Sequence, residues 1–170
     1  NQGSRTMNAV KTVLSRLRIC EIQLAQSDKK DPERIQGGIL AVKKNESARR
    51  LLLCINAVLQ KKAKDIVVLN VKNLSAFADY LLVCSGATDR QVRAIADAIR
   101  DYLKKEKILP LGVEGESNAQ WILLDYDDVV ISVFQEETRS FYKLEDLWDA
   151  PRMDVDENAT QIKTLTREMA

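Results

Sequence analysis

The sequence predicts an α/β fold, a single domain in which a mixed sheet of about five strands is flanked by helices. Short apolar runs of strand length alternate with longer segments in which apolar residues recur at helical spacing. Residues 66–69 and 80–84 are apolar at consecutive positions, which is typical of strands covered on both faces. Residues 121–125 and 129–135 flank an Asp-rich turn and predict an antiparallel hairpin.

Two helices are predicted before this hairpin. Residues 46–63 are amphipathic, and Asn45 is the candidate N-cap. Thr88 and Gln91 have the spacing of a capping box and begin a second helix that runs to about Lys105. The apolar residues of the second helix form one stripe: Val92, Ile95, Ala96, Ile99 and Leu103.

The remaining elements of the domain are short. Pro110 begins an extended segment that continues through Val113. After the hairpin, residues 136–142 and 144–148 predict two short helices. Beyond Pro151 the chain is acidic and poor in apolar residues, so residues 151–170 are predicted to be a tail and residues 46–150 the folded domain.

Residues 1–45 are predicted to be a basic extension. The first six residues are interpreted as a cloning remnant before the native start at Met7. Residues 8–26 predict a surface helix, which is favoured over an organelle transit peptide because Glu21 and Asp28 interrupt the basic character of the segment. Residues 27–44 contain a proline and a Gly-Gly pair among charges, which is typical of a linker.

Charge divides the chain into two parts. Residues 1–64 have a net charge of +9 and residues 65–170 a net charge of −8. A basic arm of this kind could contact RNA by neutralising phosphates. The alternative is a solvated extension without a partner, and the sequence leaves both open.

Composition excludes several classes of catalytic site. The chain contains no histidine, which removes the usual general base near neutral pH, the Ser-His-Asp and Cys-His systems and most zinc sites. Cys20, Cys54 and Cys84 lie far apart without a C-x-x-C pair, so neither a disulfide framework nor a metal site is indicated. Free thiols fit the reducing cytoplasm, and no apolar run approaches the ~18 residues of a membrane helix. We therefore expect a cytoplasmic protein that binds no metal or cofactor.

The segment 114–149 carries the most informative pattern. It contains ten Asp/Glu and two Lys/Arg, interleaved with Trp121, Tyr126, Tyr142 and Trp148. These aromatic residues either fill the core or form part of an interface, where aromatic side chains supply contact area and acids select a basic partner. The pattern favours a protein-binding face over a catalytic pocket.

A magnesium-dependent enzyme of the nucleotidyltransferase kind is the alternative. Asp125 and Asp127 have the D-x-D spacing that places two carboxylates on one face of a strand, and Ser85-Gly86 could imitate a phosphate-binding turn. Asp127 lies where the hairpin turn is expected, however, and turns favour Asp for local hydrogen bonds. The D-x-D spacing supplies no third catalytic carboxylate, and the region is nearly bare of the Lys and Arg that a basic triphosphate clamp needs, so we expect no enzymatic activity.

A set of residues in the domain occurs in a characteristic order and spacing: Asp79-Tyr80, Cys84-Ser85-Gly86, Asp89-Arg90-Gln91-Val92, Ile95-Ala96-Asp97, Glu114-Gly115, Trp121, Asp125-Tyr126, Asp128-Val129-Val130, Arg139, Tyr142, Leu144-Glu145 and Leu147-Trp148. In this order and spacing the chain resembles the Iojap family, which comprises the bacterial ribosomal silencing factors and their organelle relatives. The similarity covers about residues 46–150.

This resemblance implies a domain shaped like a nucleotidyltransferase but without its active site. It also implies binding to ribosomal protein L-fourteen of the large ribosomal subunit, which blocks association with the small subunit, represses translation and can assist ribosome biogenesis. A homodimer is left open. The residues expected to contact the partner are Trp121, Asp125, Glu114 and Tyr142, with Asp79 and Ser85 close by.

The chain departs from the family pattern at two positions. Ser132 stands where the family commonly has a histidine, so no role of that histidine in partner contact can be transferred. Asp127 stands where the turn usually carries glycine, which makes the D-x-D spacing incidental.

Overall fold

A six-stranded mixed sheet with two long helices on one face confirms the predicted α/β class. The computed structural model describes residues 37–75 and 78–155. The predicted helix over 8–26 lies outside the described residues. The elements are α1 (Gly37–Gln60), β1 (Lys64–Asn70), β2 (Tyr80–Gly86), α2 (Asp89–Lys105), β3 (Gly112–Glu114), β4 (Trp121–Asp125), β5 (Val129–Gln135), α3 (Glu136–Tyr142), a 3-10 helix (Leu144–Leu147) and β6 (Arg152–Val155). The nucleotidyltransferase-like shape stays a prediction.

The strands are ordered β3-β4-β5-β2-β1-β6 across the sheet. Only β2 and β5 run parallel, with Leu82 opposite Ile131, and the other neighbouring pairs are antiparallel. The parallel pair is joined by α2, β3 and β4, which satisfies the need of parallel strands for a long crossover. The central strand β2 is buried along its whole length, as the consecutive apolar run predicted.

Helix α2 packs on the sheet through the predicted stripe, all of which is buried. Thr88 is its N-cap, and the hydroxyl accepts a hydrogen bond from the backbone N–H of Gln91 at 3.2 Å. The Gln91 side chain accepts in return from the N–H of Ala87 at 2.9 Å. Helix α1 packs beside α2, and Leu51, Cys54 and Ile55 close the core between both helices and the sheet.

Helix α1 begins earlier than the sequence indicated. It starts at Gly37 rather than at residue 46, so residues 37–44 are helical and the predicted linker is wrong for them. Two glycines disfavour a helix by only about 1 kcal/mol each, and no proline follows before Gln60. The loop-like signal of the glycine pair therefore did not exclude a helix.

Strand β6 is a correction to the predicted count of five strands and to the predicted start of the tail. Residues 152–155 pair antiparallel with β1, with Val155 opposite Ile66 and Arg152 opposite Leu69. Val155 is 7% exposed and joins the core beneath the helices. An edge strand is held by backbone hydrogen bonds to its single partner strand, and these bonds form whatever the side chains are. Its sequence can therefore contain few apolar residues. The rest of the predicted tail lies outside the described residues.

The second face of the sheet, which we call the outer face, is turned away from α1 and α2. The 3-10 helix and residues 148–150 lie against parts of it, and the apolar residues covered there include Val67, Leu69, Leu81, Val83, Trp121 and Phe134. No helix in the described part of the chain is long and apolar enough to cross a bilayer.

Candidate functional site

The strand register brings the predicted contact residues to the outer face. Side chains alternate between the two faces along a strand, and residues directly opposite each other on paired strands share a face. Trp121 lies opposite Phe134, and Phe134 lies opposite Ser85 on its other side. Glu114 lies opposite Leu123, which shares the face of Trp121 and Asp125 because it is two residues from each.

Asp79 and Tyr142 complete the set. Asp79 immediately precedes β2, and its N–H donates to the carbonyl of Asp128 at 2.7 Å. Asp79 and Ser85 are an even number of positions apart, so both side chains belong to the outer face. They lie at opposite ends of β2, roughly 20 Å apart. Tyr142 ends α3, and its ring centroid is 5.4 Å from that of Trp121. The structure thus spreads the six residues across one face and does not cluster them in a pocket.

Trp121 lies beneath this face, because its side chain is 2% exposed. Its ring stacks on Phe134 with centroids 4.6 Å apart, and it packs in one cluster with Val83, Leu144 and Tyr142. The indole N–H has no hydrogen-bond partner among the described residues. Of the two interpretations that the sequence left open, this geometry favours core packing, and Trp121 supports Tyr142 from below.

Asp125 takes part in turn chemistry. Its side chain is 7% exposed, and it accepts a hydrogen bond from the N–H of Asp127 at 3.0 Å. Asp127 has a φ of 71°, in the left-handed region, so it lies in the turn and not in a strand. The D-x-D pair therefore does not present two carboxylates side by side. In the described part of the chain, no group of three or more Cys, Asp or Glu residues is placed to hold a metal ion.

The turn is tied to the helical layer by a half-buried ion pair. Arg50 of α1 donates to the Asp128 carboxylate at 2.7 Å and to the carbonyl of Tyr126 at 3.3 Å. Burial raises the pKa of Asp128, and the Arg50 guanidinium opposes that shift. This contact lies away from the outer face and fixes the hairpin against α1.

Ser85 is 1% exposed and does not contact solvent. Its hydroxyl accepts a hydrogen bond from Arg139 at 2.9 Å, and Arg139 also donates to Glu145 through Nε at 2.8 Å and Nη2 at 2.5 Å. A fourth bond joins Arg139 to the carbonyl of Asp65 at 2.5 Å. We call this group the Arg139 clasp, and Ser85 acts in it as an internal anchor.

The acidic loop before β4, residues 114–120, is held in place by side chains of α2. Gly115 has a φ of 85°, and a Cβ built there would lie 1.9 Å from the carbonyl oxygen of Trp121. Arg93 donates to the carbonyls of Glu116 and Ser117, and Arg100 pairs with the Glu116 carboxylate at 2.7 Å. Glu114 is exposed and has no ion-pair partner among the described residues. It is therefore the acid of this loop that is free to meet a partner.

Sequence reasoning missed two exposed apolar residues near the outer face. Phe141 is 80% exposed at the end of α3, and Leu147 is 57% exposed at the end of the 3-10 helix. Their neighbours Glu137, Asp146 and Asp149 are exposed acids. No local pattern separates them from Leu144, which is buried nearby, so only the tertiary structure could reveal them.

A polar cleft of about 470 Å³ lies beside the Arg139 clasp, at the carboxyl ends of β2 and β5. Crevices at this end of parallel strands bind ligands in many α/β proteins. Here the lining carries both signs of charge, with Glu136 and Asp146 beside Lys143 and Arg152. It does not form the basic clamp that a triphosphate needs.

The described thiols are not nucleophiles. Cys54 and Cys84 are fully buried in the core beneath the helices. Burial raises the pKa of the Cys54 thiol and raises that of Cys84 to about 12, so both stay protonated at neutral pH.

Comparison with known proteins shows the family to which the chain belongs. The family model described as ribosomal silencing factor during starvation matches residues 44–169, about three quarters of the chain. This chain belongs to the ribosomal silencing factor family. The resemblance to the Iojap family is thereby confirmed, and curated relatives include the chloroplastic protein Iojap of Zea mays, 32% identical over 87 residues that cover 51% of this chain and 38% of that protein.

Bacterial members of the silencing factor family are similar over most of their own length. The ribosomal silencing factor of Halalkalibacterium halodurans is 41% identical over 107 residues, covering 62% of this chain and 92% of that protein. The Bacillus subtilis factor is 45% identical over 97 residues, covering 56% and 82%. A crystal structure from Chromobacterium violaceum matches with a TM-score of 0.59 at 30% identity, covering 68% of this chain and 96% of that one.

Proposed function

We propose that this chain represses translation by binding the large ribosomal subunit through ribosomal protein L-fourteen, which blocks association with the small subunit. The observation that carries the proposal is the outer face. Four of the six predicted residues there belong to the acidic segment 114–149, and of these Glu114 is exposed and Tyr142 is partly exposed, whereas Trp121 and Asp125 are buried. An acidic surface with an accessible aromatic residue fits a basic protein, because complementary charge steers the encounter and aromatic residues supply contact area.

The proposed activity is binding alone, in the cytoplasm, without a cofactor. Family membership supports it, since the relatives are named ribosomal silencing factors. The polar lining of the cleft and the turn geometry of Asp125 give little support to the magnesium-dependent alternative. Titration of magnesium and ATP followed by intrinsic fluorescence separates the two, because saturable ATP binding that requires magnesium would favour the enzyme.

Sucrose-gradient sedimentation with purified subunits tests the proposal. We expect the protein to sediment with large subunits and to lower the yield of joined ribosomes. Unchanged joining at saturating protein would overturn the proposal. Light scattering on the same preparation would establish whether the protein is a homodimer.

A matched pair of charge reversals locates the binding face. Glu114→Lys changes an exposed acid on the outer face, whereas Asp101→Lys makes the same change on α2 at the opposite side of the domain. We expect the first substitution to weaken binding to large subunits about tenfold and the second to leave it within about twofold. Equal effects would place the binding surface elsewhere.

A further inference from the structure

The Arg139 clasp joins four elements through one side chain. The guanidinium of α3 donates to Glu145 in the 3-10 helix, to Ser85 in β2 and to the backbone of Asp65 in β1. The side chains of Arg139 and Glu145 are 11% and 10% exposed. A buried charge with several directed bonds is held in one orientation, because each bond that is lost would leave a polar group without a partner.

The clasp closes a sharp corner of the backbone. Lys143 lies between α3 and the 3-10 helix with a φ of 45°, a left-handed conformation that costs free energy for a residue with a Cβ. Its N–H donates to the carbonyl of Arg139 at 2.8 Å. The corner is therefore held by Arg139 at both its backbone and its side chain.

The corner determines which apolar residues point outward. Leu144 turns into the cluster beneath Trp121, and Tyr142 rests on that cluster. Phe141 and Leu147 stay exposed on either side of the corner, and the Phe141 ring meets Tyr142 edge-on with centroids 5.0 Å apart. Exposed apolar residues beside exposed acids fit the contact of a basic partner that has apolar patches.

We infer that Arg139 is a positioning residue for the partner-binding face, whose clasp on Glu145, Ser85 and Asp65 holds α3 and the 3-10 helix so that Phe141 and Leu147 are presented as apolar contacts. The inference rests on the proposed function and adds to it the residues that make and hold the contact. Arg139 itself is too buried to be the contact.

The test uses the full chain and a net-neutral double substitution. Arg139→Met with Glu145→Met removes both buried charges together, a change that many folds tolerate, and leaves the net charge and electrostatic steering unchanged. Arg50→Met with Asp128→Leu is the matched control, since it removes another partly buried pair on the helical side. Binding to isolated large subunits, thermal unfolding and amide hydrogen exchange over residues 136–148 are measured for each.

We expect the Arg139/Glu145 variant to bind about tenfold more weakly and to exchange faster over residues 136–148, with the rest of the domain protected. The control should bind within about twofold of the unsubstituted protein. Wild-type affinity in the Arg139/Glu145 variant, or weaker binding with unchanged exchange, would overturn the positioning role.

Direct substitution tests the presented residues. Phe141→Ser and Leu147→Ser should each weaken binding about tenfold while the melting temperature stays the same, because both side chains are exposed. Unchanged affinity in both variants would overturn the inference even if the unsubstituted protein binds large subunits. A protein that does not bind large subunits at all would instead refute the proposed function.

Discussion

At the scale of single residues, Trp121 packs beneath the outer face in a cluster with Val83, Phe134 and Leu144. The sequence left open whether Trp121 belongs to the core or to an interface, and its 2% exposure makes the ring part of the core. We now expect Trp121→Ala to lower the free energy of unfolding by about 3–5 kcal/mol, whereas Phe141→Ala changes it by about 0.5 kcal/mol or less. Urea denaturation followed by far-ultraviolet circular dichroism measures both.

Equal stability of the two alanine variants would contradict this packing. Trp121→Phe is a milder control, since it keeps an aromatic ring and removes an indole N–H that has no partner among the described residues. We expect it to cost less than about 1.5 kcal/mol.

Gly112 and Gly115, near the start of the acidic loop, give a second prediction at the residue scale. Gly115→Ala would force a left-handed residue and a Cβ into the carbonyl of Trp121, whereas a Cβ at Gly112 meets nothing within 4 Å. Gly115→Ala should lower stability by at least about 2 kcal/mol, and Gly112→Ala by less than about 1 kcal/mol. Thermal melts of the two variants decide, and a loss of stability limited to Gly112→Ala would contradict the loop geometry.

Among the elements, β6 was not predicted, because the residues after Pro151 are acidic and poor in apolar side chains. If Val155 is part of the core beneath the helices, Val155→Ala should lower the free energy of unfolding by about 1–2 kcal/mol. Asp149→Ala, at an exposed loop position before the strand, should change it by about 0.5 kcal/mol or less. If urea denaturation shows a change in the free energy of unfolding near zero for both variants, the folded domain ends at Pro151, as the sequence predicted.

Other elements were predictable because local chemistry alone specifies them. The capping box at Thr88 and the apolar stripe fixed the length of α2, and the Asp-rich turn fixed the hairpin of β4 and β5 with the observed boundaries. Residues 37–44 of α1 were not predictable from the same signals, because the glycine pair there is equally typical of a loop.

At the scale of the whole molecule, the proposed charge complementarity predicts that binding affinity depends on salt concentration. Binding of an acidic face to a basic protein should weaken as salt rises from about 0.05 to 0.5 M, because the Debye length shortens from roughly 14 to 4 Å. A co-sedimentation titration with large subunits at several salt concentrations measures the slope. Affinity that does not change over this range would contradict an electrostatic interface.

Deletion of residues 1–36 tests the arm without cutting α1, which begins at Gly37. This segment contains seven Lys/Arg and four Asp/Glu, so contact with ribosomal RNA would release few counterions and the salt slope should flatten only modestly. An identical slope and affinity would show that the arm is a passive extension.

By itself the sequence determined the α/β class, the order of the elements except for β6, the family resemblance and the acidic character of segment 114–149. Each of these depends on nearest neighbours along the chain or on composition. The tertiary structure alone decided that Trp121 and Ser85 are buried, that Arg139 joins three other elements, and that Phe141 and Leu147 remain exposed. Burial depends on which distant strands and helices cover a residue, and that information is absent from any local stretch of sequence.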